Sequence, residues 1–157
     1  MMKVVDYIRI SAPVEAVFNV VNDYEKWPEF ISVNKKVNLL REKNGKRYFE
    51  VFHEEKKGKV IRSECIRKQC APNHICFVLM NNKFRHLSGE WIVAPIDNGS
   101  LLISIHEYEV KVPLGIKFIA DLIGYFVVKN MFFDKTTPVT LREIKERVES
   151  VVIKNNG

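Results

Sequence analysis

The first part of the chain alternates between a strand-like segment and two helix-like segments. Residues 3–10 are rich in β-branched and aromatic side chains, which predicts a first strand. An apolar stripe with the i, i+3, i+4, i+7 spacing of an amphipathic helix covers residues 14–21. Ser11 is the expected N-cap of that helix. Residues 24–30 predict a second short helix, broken at Pro28. We therefore expect two short helices directly after strand one.

Between residues 35 and 111 the pattern is almost entirely one of short strands and turns. The Asn-Gly pair at 44–45 is a typical hairpin signal. The predicted strands cover residues 36–41, 47–54, 59–69, 74–80, 85–94 and 100–111. Because the turns recur at short and regular intervals, we expect one curved antiparallel sheet of about six to seven strands.

A helical period replaces the strands after residue 112. Apolar positions at helical spacing run from Ile116 to Val148. Pro138 should kink or interrupt this long helix, because proline lacks an amide donor and clashes with the preceding turn. Thr136 or Thr137 is expected to cap the restart.

These elements predict an α+β helix-grip fold, in which the sheet wraps around the long C-terminal helix. We expect one domain over residues 1–157, with a flexible polar tail at 154–157. The long helix is the one predicted element large enough to cover a face of the sheet. Since a single helix seldom fills a strongly curved sheet, a small-molecule cavity is expected between them.

The charge balance favours acidic partners without identifying one. The chain carries a net charge of +6, and 28% of its residues are charged. It has no block of Lys and Arg and no basic run with interleaved aromatic residues, so nucleic acid is not an expected partner. A basic surface that is simply solvated explains the same charge.

The cysteines and histidines do not predict a metal site. Cys65, Cys70 and Cys76 have no CxxC spacing and leave an odd thiol. This argues against a disulfide framework and for a reducing cytoplasm. The four histidines lack a ligand spacing such as HxxxH, and no phosphate loop or dinucleotide fingerprint is present. We therefore expect neither a metal nor a cofactor.

No segment predicts stable insertion into a membrane. The N-terminus has no apolar run long enough for a signal peptide. The most apolar stretch, residues 113–128, is interrupted by Lys117 and Asp121. It is shorter than the roughly 20 apolar residues that a spanning helix needs. The expectation is a soluble protein of the cytoplasm, either a monomer or a homodimer.

The stretch from Arg85 to Trp91 concentrates chemistry-bearing side chains in one predicted strand. Successive side chains of a strand point to opposite faces. One face should carry Phe84, His86, Ser88 and Glu90, and the other Arg85, Leu87 and Trp91. Gly89 inside the strand indicates a bulge or the close approach of backbone or ligand.

Two N-terminal stretches resemble the START-like superfamily, whose fold is the helix-grip. Residues 10–18 contain its Ala-Pro pattern, and residues 23–30 contain its Asp and Trp-Pro pattern, typical of the polyketide cyclase/dehydrase and coenzyme-Q-binding branches. Residues 85–91 with 104–108, and the ending from Asn130 to Glu149, look more specifically like aromatase/cyclases of type II aromatic polyketide pathways. The resemblance covers essentially the whole chain.

The resemblance implies two catalytic residues. In those cyclases a strand arginine anchors the poly-β-ketone and polarises a carbonyl, and the best match here is Arg67. His106 matches a histidine that acts as acid or base in some members. The family's tryptophan four residues before the arginine is replaced by Ser63, and a carboxylate of its C-terminal helix falls near Thr140. Glu90 or Asp134 is a candidate replacement for that carboxylate.

Twelve further residues are expected to contact the substrate. Ser63 and Cys65 share the strand face of Arg67, and Ser104 and Tyr108 share that of His106. The complete set is Trp27, Phe30, Ser63, Cys65, His86, Ser88, Glu90, Trp91, Ser104, Tyr108, Phe126 and Asn130. A surface arginine, a hydrogen-bonded core histidine and core tryptophans are the alternatives to these assignments.

The resemblance implies a cofactor-independent aromatase/cyclase. Its substrate would be a poly-β-ketone on an acyl carrier protein, and an acidic carrier would suit the basic chain. A non-catalytic carrier of a quinone-like or lipid-like ligand is the alternative, because the coenzyme-Q-binding branch shares most of these positions. A regulatory ligand-binding protein is a third possibility.

Overall fold

Seven antiparallel strands make up one sheet in the part of the chain that the structure describes. This structure is a computed structural model, which describes residues 1–111 and 134–157. The strands are β1 Met2–Ile10, β2 Asn34–Lys43, β3 Lys46–Lys56, β4 Lys59–Ala71, β5 His74–Met80, β6 Phe84–Ile96 and β7 Gly99–Val110. Their order across the sheet is β1-β7-β6-β5-β4-β3-β2. The predicted antiparallel sheet is confirmed.

Two short helices follow β1, as predicted. They are α1, Val14–Asn22, and a 3₁₀ helix, Tyr24–Glu29. The expected N-cap is wrong, because Pro13 occupies that position with φ −65° and no side chain caps α1. The backbone amide of Ser11 instead donates to Glu149 Oε1 at 3.1 Å.

The C-terminal helix, α2, spans Asp134–Asn156 in the described part of the chain. It continues through Pro138 without the expected interruption. It also contains residues 154–156, where a polar tail was expected, so those residues are helical. The predicted apolar stripe at residues 116–133 lies outside the described residues. No described helix has the length and apolarity needed to cross a membrane.

Alternating burial along the central strand β4 defines an inner and an outer face of the sheet. Ser63, Cys65 and Arg67 are buried, whereas Arg62 and Lys68 are exposed. This is the parity that the sequence predicts for a half-buried strand. The inner face is the one that the helices cover.

Helix α2 packs its apolar side against this inner face. Leu141, Ile144 and Val148 are buried in the main core cluster. Polar contacts fix the helix at its edges, since Glu143 Oε2 accepts a hydrogen bond from the Ser32 amide at 3.1 Å. The apolar spacing of α2 thus closes one side of the space above the sheet.

The turn between β4 and β5 brings two cysteines together. Cys70 and Cys76 form a disulfide, with Cα atoms 6.0 Å apart. This corrects the expectation that no cysteines are paired. The pair has no motif spacing because it forms across a hairpin, where a register shift lies between Gln69 and Ala71. Cys65 is a free, buried thiol.

Replacing Ile144 with alanine should lower the free energy of unfolding by about 2–5 kcal/mol, because a fully buried side chain would leave a cavity. Denaturant unfolding followed by circular dichroism measures the change. Ile153 is the matched control, since it lies on the same helix and is 72% exposed. Ile153→Ala should change stability by less than about 0.5 kcal/mol. Equal losses in the two variants would contradict the packing of α2.

Candidate functional site

A cavity of about 140 Å³ lies between the inner face of the sheet, the 3₁₀ helix and the described start of α2. Its walls are mostly apolar and aromatic, with a few polar groups. The residues that carry its chemistry are Tyr24, Trp27, Cys65, Arg67, Trp91 and His106. This composition, apolar walls with few convergent polar groups, is typical of a small-molecule site.

Arg67 is the charged group most deeply buried in this cavity, with only 2% of its surface exposed. Its Nη2 donates to the carbonyl oxygen of Val21 at 2.9 Å. The guanidinium carbon lies 4.2 Å from the ring centre of Tyr24 and 5.2 Å from that of Trp27. Aromatic faces attract a cation, so the α1–3₁₀ segment holds the charge in place.

The positive charge of Arg67 has no carboxylate partner among the described residues. Its Nε is buried and has no hydrogen-bond partner there. Burial lowers the pKa of the guanidinium, but an arginine stays protonated at neutral pH. A buried donor without a partner costs free energy, and a ligand oxygen would remove that cost.

His106 lines the same cavity from strand β7. Its Nδ1 lies 3.2 Å from Ser104 Oγ, and its ring meets Phe77 edge-on at 5.5 Å between ring centres. Burial lowers the pKa of the imidazole to about 4. The ring is therefore neutral at physiological pH, where it can donate one hydrogen bond and accept another.

Gly89 makes the contact between Phe77 and His106 possible. It pairs with Phe77 on β5 and with His106 on β7, so the three residues form a row across the sheet. A Cβ at Gly89 would lie 2.6 Å from the Phe77 ring and would clash with the backbone oxygen of Ile105. The predicted close approach at this glycine is an approach of the Phe77 side chain and the Ile105 backbone.

The wall formed by α2 presents hydroxyl groups. Thr136, Thr137 and Thr140 line the cavity, so a threonine stands where the resembled cyclases have a carboxylate. Glu54 is the carboxylate in the described lining. A hydrogen bond from Lys35 lowers its pKa, which keeps it ionised and unable to supply a proton at neutral pH.

The structure brings only part of the predicted site together. Arg67, His106, Cys65, Trp27 and Trp91 line one cavity. The Cys65 thiol is inert at neutral pH, because burial raises its pKa to about 11. The predicted residues Phe126 and Asn130 lie outside the described residues.

Four predicted contact residues are buried or packed elsewhere. Ser63 is buried beside the cavity and accepts a hydrogen bond from Asn81. Ser104 lies behind His106 and contacts its ring nitrogen. Tyr108 packs in a separate cluster with Phe84 and Leu87, and Phe30 lies under the Arg147 guanidinium. Direct substrate contact is therefore corrected to a supporting position for these side chains.

His86, Ser88 and Glu90 lie on the outer face of the sheet, which corrects the expectation that they contact a substrate in the cavity. His86 Nε2 is 2.7 Å from Ser88 Oγ, and Glu90 Oε2 is 2.6 Å from His74 Nε2. Glu90 consequently cannot replace the missing carboxylate. The side chain of the other candidate, Asp134, lies outside the description.

A register shift between Phe84 and His86 explains the error in part. Phe84 is buried although it precedes His86 by two positions, so the two do not share a face as predicted. Beyond the shift, Leu87, Gly89 and Trp91 are the residues that face inward. The pattern predicted the alternation correctly but did not tell which side was the cavity.

Sequence reasoning missed several residues of the lining. Tyr24 is the most consequential, because its ring supports Arg67 and its hydroxyl forms side-chain hydrogen bonds with Asn34 and Cys65. Burial raises the pKa of that hydroxyl well above its usual range. The Asp-Tyr of the N-terminal pattern was the available signal, but Phe77 carried none.

A family model described as polyketide cyclase / dehydrase and lipid transport matches residues 10–131. The chain belongs to this family. The match includes the α1–3₁₀ segment, Arg67 and His106, so the family assignment covers the whole described wall of the cavity except α2. No curated protein matches the sequence significantly.

Solved structures similar to this family member support the helix-grip fold. The ZhuI aromatase/cyclase from Streptomyces sp. R1128 has a TM-score of 0.83 at 16% identity, over 96% of this chain and 95% of that one. TTHA0849 from Thermus thermophilus gives 0.79 at 19% identity, over 96% and 99%. A START superfamily protein from Mycobacterium smegmatis gives 0.73 at 19% identity, over 95% and 98%. At these identities the likeness is one of fold.

The neutral state of His106 predicts a pH-dependent stability. Below the unfolded pKa of about 6.5 the unfolded chain binds a proton that the folded chain excludes until about pH 4. The free energy of unfolding should therefore fall as pH decreases through this window, by at most about 3 kcal/mol because the imidazole keeps some exposure.

Denaturant unfolding at several pH values compares His106→Gln with the parent chain. The variant should show a flatter slope between about pH 6.5 and 4, with a residual slope from His53, whose pKa is also lowered by burial. His86→Gln, on the outer face, is the control and should keep the parent slope. An unchanged slope in His106→Gln would contradict a neutral, buried imidazole.

Proposed function

We propose that this family member is a cofactor-independent aromatase/cyclase. It would catalyse the regiospecific aldol cyclisation and dehydration of a poly-β-ketone bound to an acyl carrier protein. The observation that carries the proposal is the buried guanidinium of Arg67, whose Nε has no partner among the described residues and lies in an apolar cavity shared with His106.

Arg67 is suited to stabilise an enolate. An aldol step begins with loss of a proton from the methylene between two ketones, which leaves a negative charge on oxygen. A pre-oriented cation in a desolvated site stabilises such a charge far more than water does. The ketone oxygen would accept a hydrogen bond from Arg67 Nε, and Val21 and Tyr24 would keep the guanidinium oriented.

His106 would carry the proton. In its neutral form it can take the methylene proton and return it to the alkoxide that forms when the enolate carbon attacks a second ketone. The new hydroxyl then leaves as water with a second proton from carbon, which gives the aromatic ring. An imidazole whose pKa is about 4 is a weak base, so the step depends on Arg67 making the methylene more acidic. Ser104 would orient the ring through Nδ1.

The cavity volume limits how much substrate fits. Small-molecule pockets usually measure about 300–1,000 Å³. A cavity of about 140 Å³ suits the reacting segment of a chain better than a complete long polyketide. In this proposal the ring-forming carbons lie between Trp27 and Trp91, and the thioester end extends to the carrier protein.

Reconstitution tests the function. The purified protein is added to a minimal polyketide synthase with its carrier protein, and mass spectrometry follows the products. The chain should convert a mixture of shunt products into one cyclised aromatic product. Arg67→Met should lower that product about 100- to 1,000-fold, the usual cost of a lost oxyanion donor. It should leave stability unchanged or higher, because a buried charge is replaced by an apolar chain.

Arg47→Met is the matched control. Arg47 pairs with Arg67 across β3 and β4, but its guanidinium is held by the Asn22 carbonyl at 3.2 Å and is not part of the described cavity lining. This variant should keep the parent product profile. Equal activity of Arg67→Met and the parent chain would overturn the role given to Arg67.

The carrier protein gives a second test of the proposal. Carrier proteins are generally acidic, and the chain has a net charge of +6. If docking is electrostatic, the dissociation constant measured by fluorescence anisotropy should rise several-fold as salt increases, because mobile ions screen exposed charges. Binding of an uncharged small ligand in the cavity is the control and should not depend on salt. A salt-independent dissociation constant for the carrier protein would contradict electrostatic docking.

A non-catalytic carrier of a hydrophobic ligand is the second candidate. The threonine at position 140 and the neutral His106 favour it, because the described lining offers no proton donor with a pKa near neutrality. Trp27 and Trp91 lie 5.5 Å apart between ring centres, so their fluorescence reports on ligand entry. Quenching by a quinone-like ligand without any change in polyketide products would favour this function.

A further inference from the structure

A cluster of metal-ligand side chains lies on the outer face of the sheet, away from the cavity. Cys70 is near the end of β4, His74 and Cys76 are on β5, and Glu90 is on β6. Cys76 and Glu90 are direct partners across the β5–β6 ladder. Neither the proposed cyclisation nor the family assignment uses these four side chains together.

The ligand atoms of this cluster are close to tetrahedral spacing. The donor atoms of Cys70, His74 and Cys76 all lie within 4.8 Å of one another. His74 Nε2 is 3.8 Å from Cys76 Sγ and 2.6 Å from Glu90 Oε2. Zinc bound at about 2.3 Å to sulfur and about 2.0 Å to nitrogen holds those two atoms about 3.5 Å apart. Small side-chain shifts would therefore complete a four-ligand site.

We propose that the reduced protein binds one zinc ion through Cys70, His74, Cys76 and Glu90. A cellular dithiol supplies the two electrons and two protons that convert the Cys70–Cys76 disulfide into two thiols, and is itself oxidised to a disulfide. Zinc binding then releases both thiol protons. Because the disulfide uses both sulfur atoms, the oxidised protein lacks two of the four ligands, and the two states exclude each other.

The chemistry of the donor set selects the metal. Two thiolates and an imidazole are soft or borderline ligands, which favour zinc over magnesium and calcium. A disulfide alone gives no reason for His74 and Glu90 to contact each other beside the sulfur atoms.

The hairpin already holds three of the ligands in place. Cys70, His74 and Cys76 all belong to the β4–β5 hairpin, and its turn residue Asn73 has a φ of 56°. Few residues must be ordered when the metal binds, because the ligands sit on paired strands. The site would thus form without a change in the fold.

Metal titration of the full chain tests this site. The protein is reduced, freed of metal with a chelator and titrated with Co²⁺, whose thiolate complexes absorb visibly, and then with Zn²⁺ in competition. One equivalent should bind with the spectrum of a tetrahedral thiolate site. Cys76→Ser should weaken binding more than about 100-fold and Glu90→Gln about 10- to 100-fold, in line with losses of metal-site groups. The protein with an intact disulfide should bind no Co²⁺.

His86→Ala is the matched control, since His86 lies on the same outer face and contacts Ser88. It should bind Co²⁺ as the parent chain does. The proposal is overturned if the reduced parent chain takes up no stoichiometric metal, or if His74→Ala and Cys76→Ser bind as the parent does. Circular dichroism of each variant establishes that it is folded, so that loss of binding is not loss of structure.

Discussion

The buried guanidinium of Arg67 is the constraint around which the cavity is built. A charge in an apolar space is costly unless polar and aromatic groups surround it. Here the carbonyl of Val21 and the rings of Tyr24 and Trp27 provide that surrounding. All three belong to the segment between β1 and β2, which explains why two short helices are inserted after the first strand. The segment closes the cavity and at the same time orients its cation.

The opposite wall depends on the absence of a side chain. Gly89 lets the Phe77 ring lie across β6 against His106, which removes the imidazole from water and keeps it neutral. The cavity thus pairs a permanent cation with an uncharged imidazole. A second positive charge on His106 would be unfavourable beside Arg67, so proton uptake requires a negative charge on the substrate. This arrangement suits enolate chemistry and equally restrains the histidine in its absence.

The sequence predicted the elements and the faces of β4 because both follow from local periodicity. It placed Ser63, Cys65 and Arg67 on the buried face correctly, since alternation and polarity agree there. It failed on β6, where a register shift at Phe84 and the polar residues of both faces hid which side was inward. The Cys70–Cys76 pair and the support of Arg67 by Tyr24 were missed for a related reason. Both arise from contacts between elements, which periodicity does not contain.

The central claim is that Arg67 receives the oxygen of a ketone ligand in this cavity. A crystal structure with a stable poly-β-ketone analogue, tethered to the carrier protein, tests it most directly. The account predicts a carbonyl oxygen within hydrogen-bond distance of Arg67 Nε, with the carbon chain between Trp27 and Trp91. A ligand bound elsewhere, with Arg67 Nε still unpartnered, would contradict it.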